Sequence, residues 1–393
     1  MARAWLLEMT RAATVEAVGG LRRTVGGQPR LGDLPLSTQA LIRGSIGFDL
    51  VLRTAVASLV AVPASLSATR PETRRQLDHL AFYRELAAAR DPGAAFAAPP
   101  PGVAVDVLAA PRGSFKAPGG QVRMLRFESP YQVMNPEAGA DYSRHRENRL
   151  AWAQHWSHDD GPRPTLAVIH GFGASPYWLN SMFFSLPWLY GQGYDVLMYL
   201  LPFHGVRQAR AAFSGWGLFA HGIAHFVEAM GHAVHDFRVF MDHLFADGVP
   251  QIALTGLSLG GCVSALLAAV EERLALVVPN APVVNVAKLA RQWFPANLAL
   301  AGGLRLGGLD WGELEETLAV VSPLNYPPLV PHGRRMIIGG LGDRLAPPEQ
   351  ADWLWEHWER PRLHWFPGNH VLHAGRGVYL KEMLAFMREV DFR

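Results

Sequence analysis

Residues 254–270, LTGLSLGGCVSALLAAV, hold the side chain with most chemical potential. An apolar run that reads as a buried strand breaks at Gly256-Leu257-Ser258-Leu259-Gly260, and a helical pattern starts at once. A strand running straight into a helix needs a sharp turn. Its apex residue takes strained dihedrals, and glycines two before and two after relieve the crowding. Ser258 is that apex residue. It is held at the end of the strand and the start of the helix, where the helix dipole favours developing negative charge. G-x-S-x-G between a strand and a helix is the setting of a serine nucleophile.

A serine hydroxyl needs a base to take its proton and donors to receive the charge formed on the substrate. His170-Gly171-Phe172-Gly173 directly follows the apolar run TLAVI. This H-G-x-G turn exposes backbone N–H groups. Phe172 N–H and Leu259 N–H, the latter just past the serine, are expected to form an oxyanion hole. Downstream, RMIIGGLGDRLAPPEQ puts Asp343 in a loop after a strand. RLHWFPGNHVLHAG then puts His370 in the loop after the last strand. A carboxylate at Asp343 can orient the His370 imidazole. His373, three residues on, is the rival base and is expected to line the entrance instead. His204 is expected near the rim of the site.

Other candidates carry less. His221, His225, His232 and His235 include an i,i+4 pair able to chelate, but no H-E-x-x-H frame accompanies them. Neither a metal nor a cofactor is expected. Cys262, the only cysteine, lies four residues past Ser258 and reads as a small buried hydrophobe; no intrachain disulfide is possible. Trp353, Trp355 and Trp358 sit at helical spacing, as core or docking residues.

The elements that must position these residues follow from the pattern. Residues 1–102 read as a helical N-terminal extension ending in a Pro-rich linker, DPGAAFAAPPPG. From 103, runs apolar throughout alternate with helical stretches, which implies an α/β fold with a mostly parallel sheet covered on both faces. The core falls into 103–281 and 330–393. Between them, 282–329 is helical and Gly-broken, an insertion above the sheet. Its Trp293 and Phe294 are candidate substrate-binding residues. Gly302 and Gly303, with Gly307 and Gly308, are candidate hinges.

Composition narrows the class. The chain has 393 residues and net charge +2, with lysine only at 116, 288 and 381 and no dense arginine run. Nucleic-acid binding has no support. The N-terminal apolar run is too short for a secretory signal. TAVASLVAVPASL, containing Pro63, falls short of the roughly 20 residues a spanning helix needs. The expectation is a cytoplasmic protein without a transmembrane segment, with peripheral membrane contact left open.

Four motifs in order, HGFG, GLSLG, GDRLAPP and GNH, together with GYDVLMYLLPFHGVR, make residues 120–393 resemble the α/β-hydrolase superfamily. The order Ser258, Asp343, His370 is that superfamily's. The resemblance implies an eight-stranded sheet with helices on both faces and 282–329 as a helical cap. It implies a serine hydrolase acting on a small-molecule carboxylic ester, with an apolar acyl group suggested by the cap. An acyltransferase or thioesterase with the same triad, and a non-catalytic binding protein, are the alternative readings.

Overall fold

The computed structural model describes residues 27–68, 77, 79–174, 176–209 and 213–393. The reading of the first residues as too short for a signal falls outside them, as does most of the helical pattern at 70–79. The strands are β1 Asp106–Ala109, β2 Gly120–Glu128, β3 Leu150–His158, β4 Thr165–Ile169, β5 Asp195–Leu200, β6 Ile252–Leu257, β7 Leu274–Asn280, β8 Met336–Gly340 and β9 Arg362–Phe366. The helices of seven or more residues are α1 Leu36–Ala68, α2 Leu80–Ala89, α3 Tyr177–Phe183, α4 Ile223–Ala246, α5 Leu259–Val270, α6 Val286–Gln292, α7 Ala296–Leu306, α8 Trp311–Leu318, α9 Pro348–His357 and α10 Arg376–Glu389.

One nine-stranded sheet runs in the order β1-β2-β3-β5-β4-β6-β7-β8-β9. From β5 to β9 every pairing is parallel, while β1, β2 and β3 add on antiparallel. The expected count was eight. The ninth, β1, is a four-residue edge strand, three of its residues solvent-exposed, so it lacked the apolar signature of a buried strand. Along β4, Leu166 and Val168 enter the core on one face, and Ala167 and Ile169 the core on the other. α4, α5 and α9 cover the second face, and α10 the first. The parallel chain leaves β4 for β5 on one side and returns to β6 on the other. The loops after β4 and β6 therefore part at the C-terminal edge, where open sheets of this kind hold their ligands.

The N-terminal helices are docked on this core. α1 continues through Pro63 and packs along α7, and α2 packs along α8. Tyr83 Oη of α2 donates to the buried Glu228 carboxylate of α4 at 2.6 Å. The Pro-rich stretch is no free linker: Phe96 is buried edge-on against Tyr326, and its carbonyl accepts from Arg238 at 3.1 Å. Residues 282–329 carry α6, α7 and α8 between β7 and β8. Among the described residues, no helix is long and apolar enough to cross a membrane.

Glu228 also accepts from Tyr131 Oη at 2.7 Å, Met134 N at 2.8 Å and Asn135 N at 3.0 Å, and burial still pushes its carboxyl pKa up. A buried acceptor deprived of a donor costs about 1–3 kcal/mol. Tyr83→Phe should lower the urea midpoint correspondingly, with an unchanged m-value in equilibrium unfolding.

Candidate active site

Ser258 joins β6 to α5 at φ 56°, ψ −111°, a conformation sparsely populated for a residue with a side chain. Its neighbours make the turn possible. A Cβ on Gly256 would run into the Gly260 carbonyl, and one on Gly260 into the carbonyls of Ile169 and His170. The turn is pinned on both sides. Ser258 N donates to Asn280 O at 2.9 Å, and Ser258 O accepts from Cys262 N at 3.0 Å and Val283 N at 3.2 Å. The hydroxyl therefore stands at the C-terminal edge of the sheet, on the positive end of α5.

The HGFG turn lies against this elbow. A Cβ at Gly171 would sit 3.5 Å from Ser258 Cβ. His170 Nδ1 donates to Gly171 O at 2.8 Å, and its Nε2 accepts from Leu201 N at 3.1 Å. The ring is thus a single neutral tautomer tying the turn to the end of β5, and burial drives its pKa down to about 4. The amides of Phe172 and Leu259 are donors in none of the described loop and cap hydrogen bonds. The Phe172 ring is held edge-on by Phe219 at 5.2 Å and His204 at 6.0 Å. His204 is not at the rim, as expected from sequence, but fully buried beneath the turn, with Nδ1 donating to Pro202 O at 2.8 Å.

Asp343 follows β8 and His370 follows β9, two neighbouring parallel strands, so their loops meet. Asp343 Oδ1 accepts from Leu345 N at 2.9 Å and Ala346 N at 2.7 Å; Oδ2 takes His370 Nδ1–H at 2.6 Å. This fixes the carboxylate and the tautomer, leaving His370 Nε2 as the free nitrogen. Burial disfavours the His370 imidazolium. The charge and hydrogen bond of Asp343, with the Asp49 carboxylate, outweigh it and hold the pKa above that of an ordinary imidazole. His373 has no such partner. Its Nδ1 pairs with Tyr379 Oη at 2.8 Å, its Nε2 with His370 O at 3.2 Å, and burial lowers its pKa to about 3. It braces the loop.

Asp49 of α1 is the residue that the sequence did not disclose. Its Oδ2 accepts from Arg344 N at 2.9 Å and His370 N at 3.0 Å. An acid inside an apolar helix, four residues before Arg53, gives no hint of a partner more than three hundred residues away.

The other candidates are placed as follows. Trp293 is half-buried against Val283, Leu289 and Ala346, beside the Asp343 loop, whereas Phe294 is 57% exposed. Gly302 and Gly303 lie inside the unbroken α7, whereas Gly307 and Gly308 form the turn that ends it, with Gly308 at φ 71° and Leu309 N–H closing on Leu304 O at 2.9 Å. Of the two pairs, only Gly307-Gly308 lies in a connection, the turn between α7 and α8. Cys262 is buried, and its thiol pKa is pushed up to about 12. His232 is locked between Tyr142 Oη and the Asp236 carboxylate, and among the described residues no group of three or more His, Cys, Asp or Glu side chains is arranged to hold a metal ion. Trp355 and Trp358 are buried in the core, and Trp353 carries the Lys288 ammonium of α6 over its ring at 5.0 Å.

Two proteins of Mycobacterium tuberculosis, the "uncharacterized" proteins Rv2627c and MT2702, are each 32% identical over 309 residues, covering 74% of this chain and 69% of theirs. No family model matches the sequence. Among solved structures, an acetyl xylan esterase from Paenibacillus sp. R4 superposes with TM-score 0.53 at 13% identity, over 81% of this chain and 95% of its own. Acetyl xylan esterase 1 from Thermoanaerobacterium sp. superposes with TM-score 0.52 at 15% identity, over 79% and 93%. At such identities the likeness is one of fold, and the fold is the one built above. The fold is that of the α/β-hydrolases, and the chain belongs to one family with the two M. tuberculosis proteins.

The two kinds of glycine in this fold give opposite expectations. Gly260→Ala should prevent the elbow from closing, giving protein that fails to fold or unfolds at much lower urea. Gly302→Ala, whose Cβ would meet nothing within 4 Å in mid-helix, should be neutral or stabilising by about 0.5–1 kcal/mol. Equilibrium unfolding of both variants checks the pair.

Proposed function

We propose that this α/β-hydrolase is a serine hydrolase that cleaves carboxylic esters through an acyl-enzyme on Ser258. The observation that carries the reading is the 2.6 Å Asp343–His370 pair on the same sheet edge as the strained Ser258. His370 Nε2 takes the Ser258 proton as Oγ attacks the ester carbonyl. Phe172 and Leu259 N–H groups receive the oxyanion, and Asp343 steadies the imidazolium. The imidazolium then gives its proton to the leaving alkoxide, and the alcohol departs. Water, deprotonated by the same nitrogen, attacks the acyl-enzyme and restores Ser258 with release of the acid. No step calls for a cofactor.

The apolar contacts of Trp293 with Val283, Leu289 and Ala346 support an apolar acyl pocket under residues 282–329, next to the acid loop. Phe294, turned outward, has a weaker claim to that role.

Ser258→Ala should remove p-nitrophenyl ester hydrolysis by on the order of 10⁶-fold in kcat and abolish labelling by a fluorophosphonate, with folding intact. A variant that keeps a tenth of the activity refutes the nucleophile. His370→Ala should be equally inactive, and His373→Ala only impaired. Because the base must be neutral, kcat/KM should rise with pH. Its acid limb is centred above the ~6.5 of an ordinary imidazole, since Asp343 and Asp49 raise the His370 pKa. Trp293→Ala should shift the preferred acyl chain length while sparing acetate. A flat chain-length profile in the wild type counts against the pocket.

A further inference from the structure

α1 touches the site along one stripe. Ile42, Ser45, Asp49 and Arg53, spaced by three, four and four residues, share a helix face. A Cβ on Gly342 would sit 2.7 Å from Ser45 Cβ and 3.2 Å from Ile42 O, so the helix lies directly on the acid loop. Gly342 N donates to Gly368 O at 3.0 Å, joining the acid loop to the base loop, and Arg53 Nη1 donates to Arg344 O at 3.4 Å. Asp49 sits over the seam. It is solvent-inaccessible, and one of its oxygens takes an N–H from each loop while the other has no hydrogen-bond partner.

An ionised carboxylate is costly to bury, and two backbone N–H groups are met as well by a neutral amide. Burial raises the Asp49 pKa against the pull of its two N–H donors and His370; what the ionised carboxylate adds is charge, held against the one side chain that becomes cationic in the reaction. The titratable and charged groups facing it and His370 are Asp343, Arg53, Arg344 and His373. Asp343 holds the imidazole from its Nδ1 side, and Asp49 holds the same residue from its backbone.

We propose that Asp49 is a positioning residue for the reaction, a buried carboxylate on helix α1 that clamps the loops of Asp343 and His370 together and stabilises the imidazolium. This rests on the serine-hydrolase reading and extends it to a segment outside the sheet.

The test uses the full-length protein with Asp49→Asn and Asp49→Ala. It compares thermal unfolding, the pH dependence of kcat/KM for p-nitrophenyl acetate, and the His370 Cε1–H titration by NMR, assigned with His370→Gln. Asp49→Asn keeps the shape and removes the charge. It should stay folded with KM nearly unchanged, while the NMR titration and the acid limb both move to lower pH. Asp49→Ala also loses the clamp, and its kcat should fall on the order of 10- to 100-fold. If Asp49→Ala does not fold, the Asn variant decides. An Asn variant with the wild-type titration midpoint overturns the proposal, whether or not its stability has dropped. The NMR readout needs no substrate. A wild type that hydrolyses no ester refutes the serine-hydrolase reading, and a shifted His370 titration would still uphold the clamp.

Discussion

The arrangement depends on one backbone constraint, the positive φ of Ser258. β6 has to stop, turn and become α5 within a single residue, and the turn leaves no room for a side chain at Gly256 or Gly260. Because the elbow closes against the carbonyls of Ile169 and His170, the end of β4 is drawn to it. Gly171 of the HGFG turn is thereby set against the serine, a Cβ on it lying 3.5 Å from Ser258 Cβ. The loop after β7 is drawn in as well, through Ser258 N to Asn280 O and Val283 N to Ser258 O. The position of the Ser258 hydroxyl, the HGFG turn beside it and the root of 282–329 are consequences of one turn.

Four histidines cluster around that turn, and their surroundings give them different chemistry. His170, His204 and His373 spend ring nitrogens on backbone or tyrosine partners, and burial keeps each neutral. His370 alone among them has a carboxylate on Nδ1, so it alone is held ready to accept a proton on Nε2. Burial acts on all four alike. The carboxylate makes the difference, as expected where desolvation and a nearby opposite charge compete.

The parallel core was legible because its strands are apolar throughout, and the loops of Ser258, Asp343 and His370 each follow one directly. β3 was not. Its Ala151, Ala153, Gln154 and His155 are weak strand formers, and the strand is fixed by its neighbours, nine residue pairs with β2 and five with β5. Its buried Gln154 is satisfied by Trp156 Nε1 at 3.0 Å, a pairing that a polarity pattern does not reveal. The place of His204 was misread for a similar reason. A histidine after a strand end reads as exposed, yet Phe172 and its own Pro202 carbonyl bury it. Order and loop position singled out Asp343 and His370, whose side chains pair at 2.6 Å. Asp49 lay beyond reach because nothing local marks a contact with the far end of the chain.

That last contact also has a meaning in time. Asp49 leaves the ribosome early, whereas its partners follow 295 residues later at Arg344 and 321 residues later at His370. At about 5–20 residues per second, the gap lasts on the order of 15 to 60 s. Through that interval α1 has the Ile42, Ser45, Asp49 and Arg53 stripe but not the loops it binds. The growing chain therefore holds Ser258 well before it holds His370, and β9 brings His370 under α1.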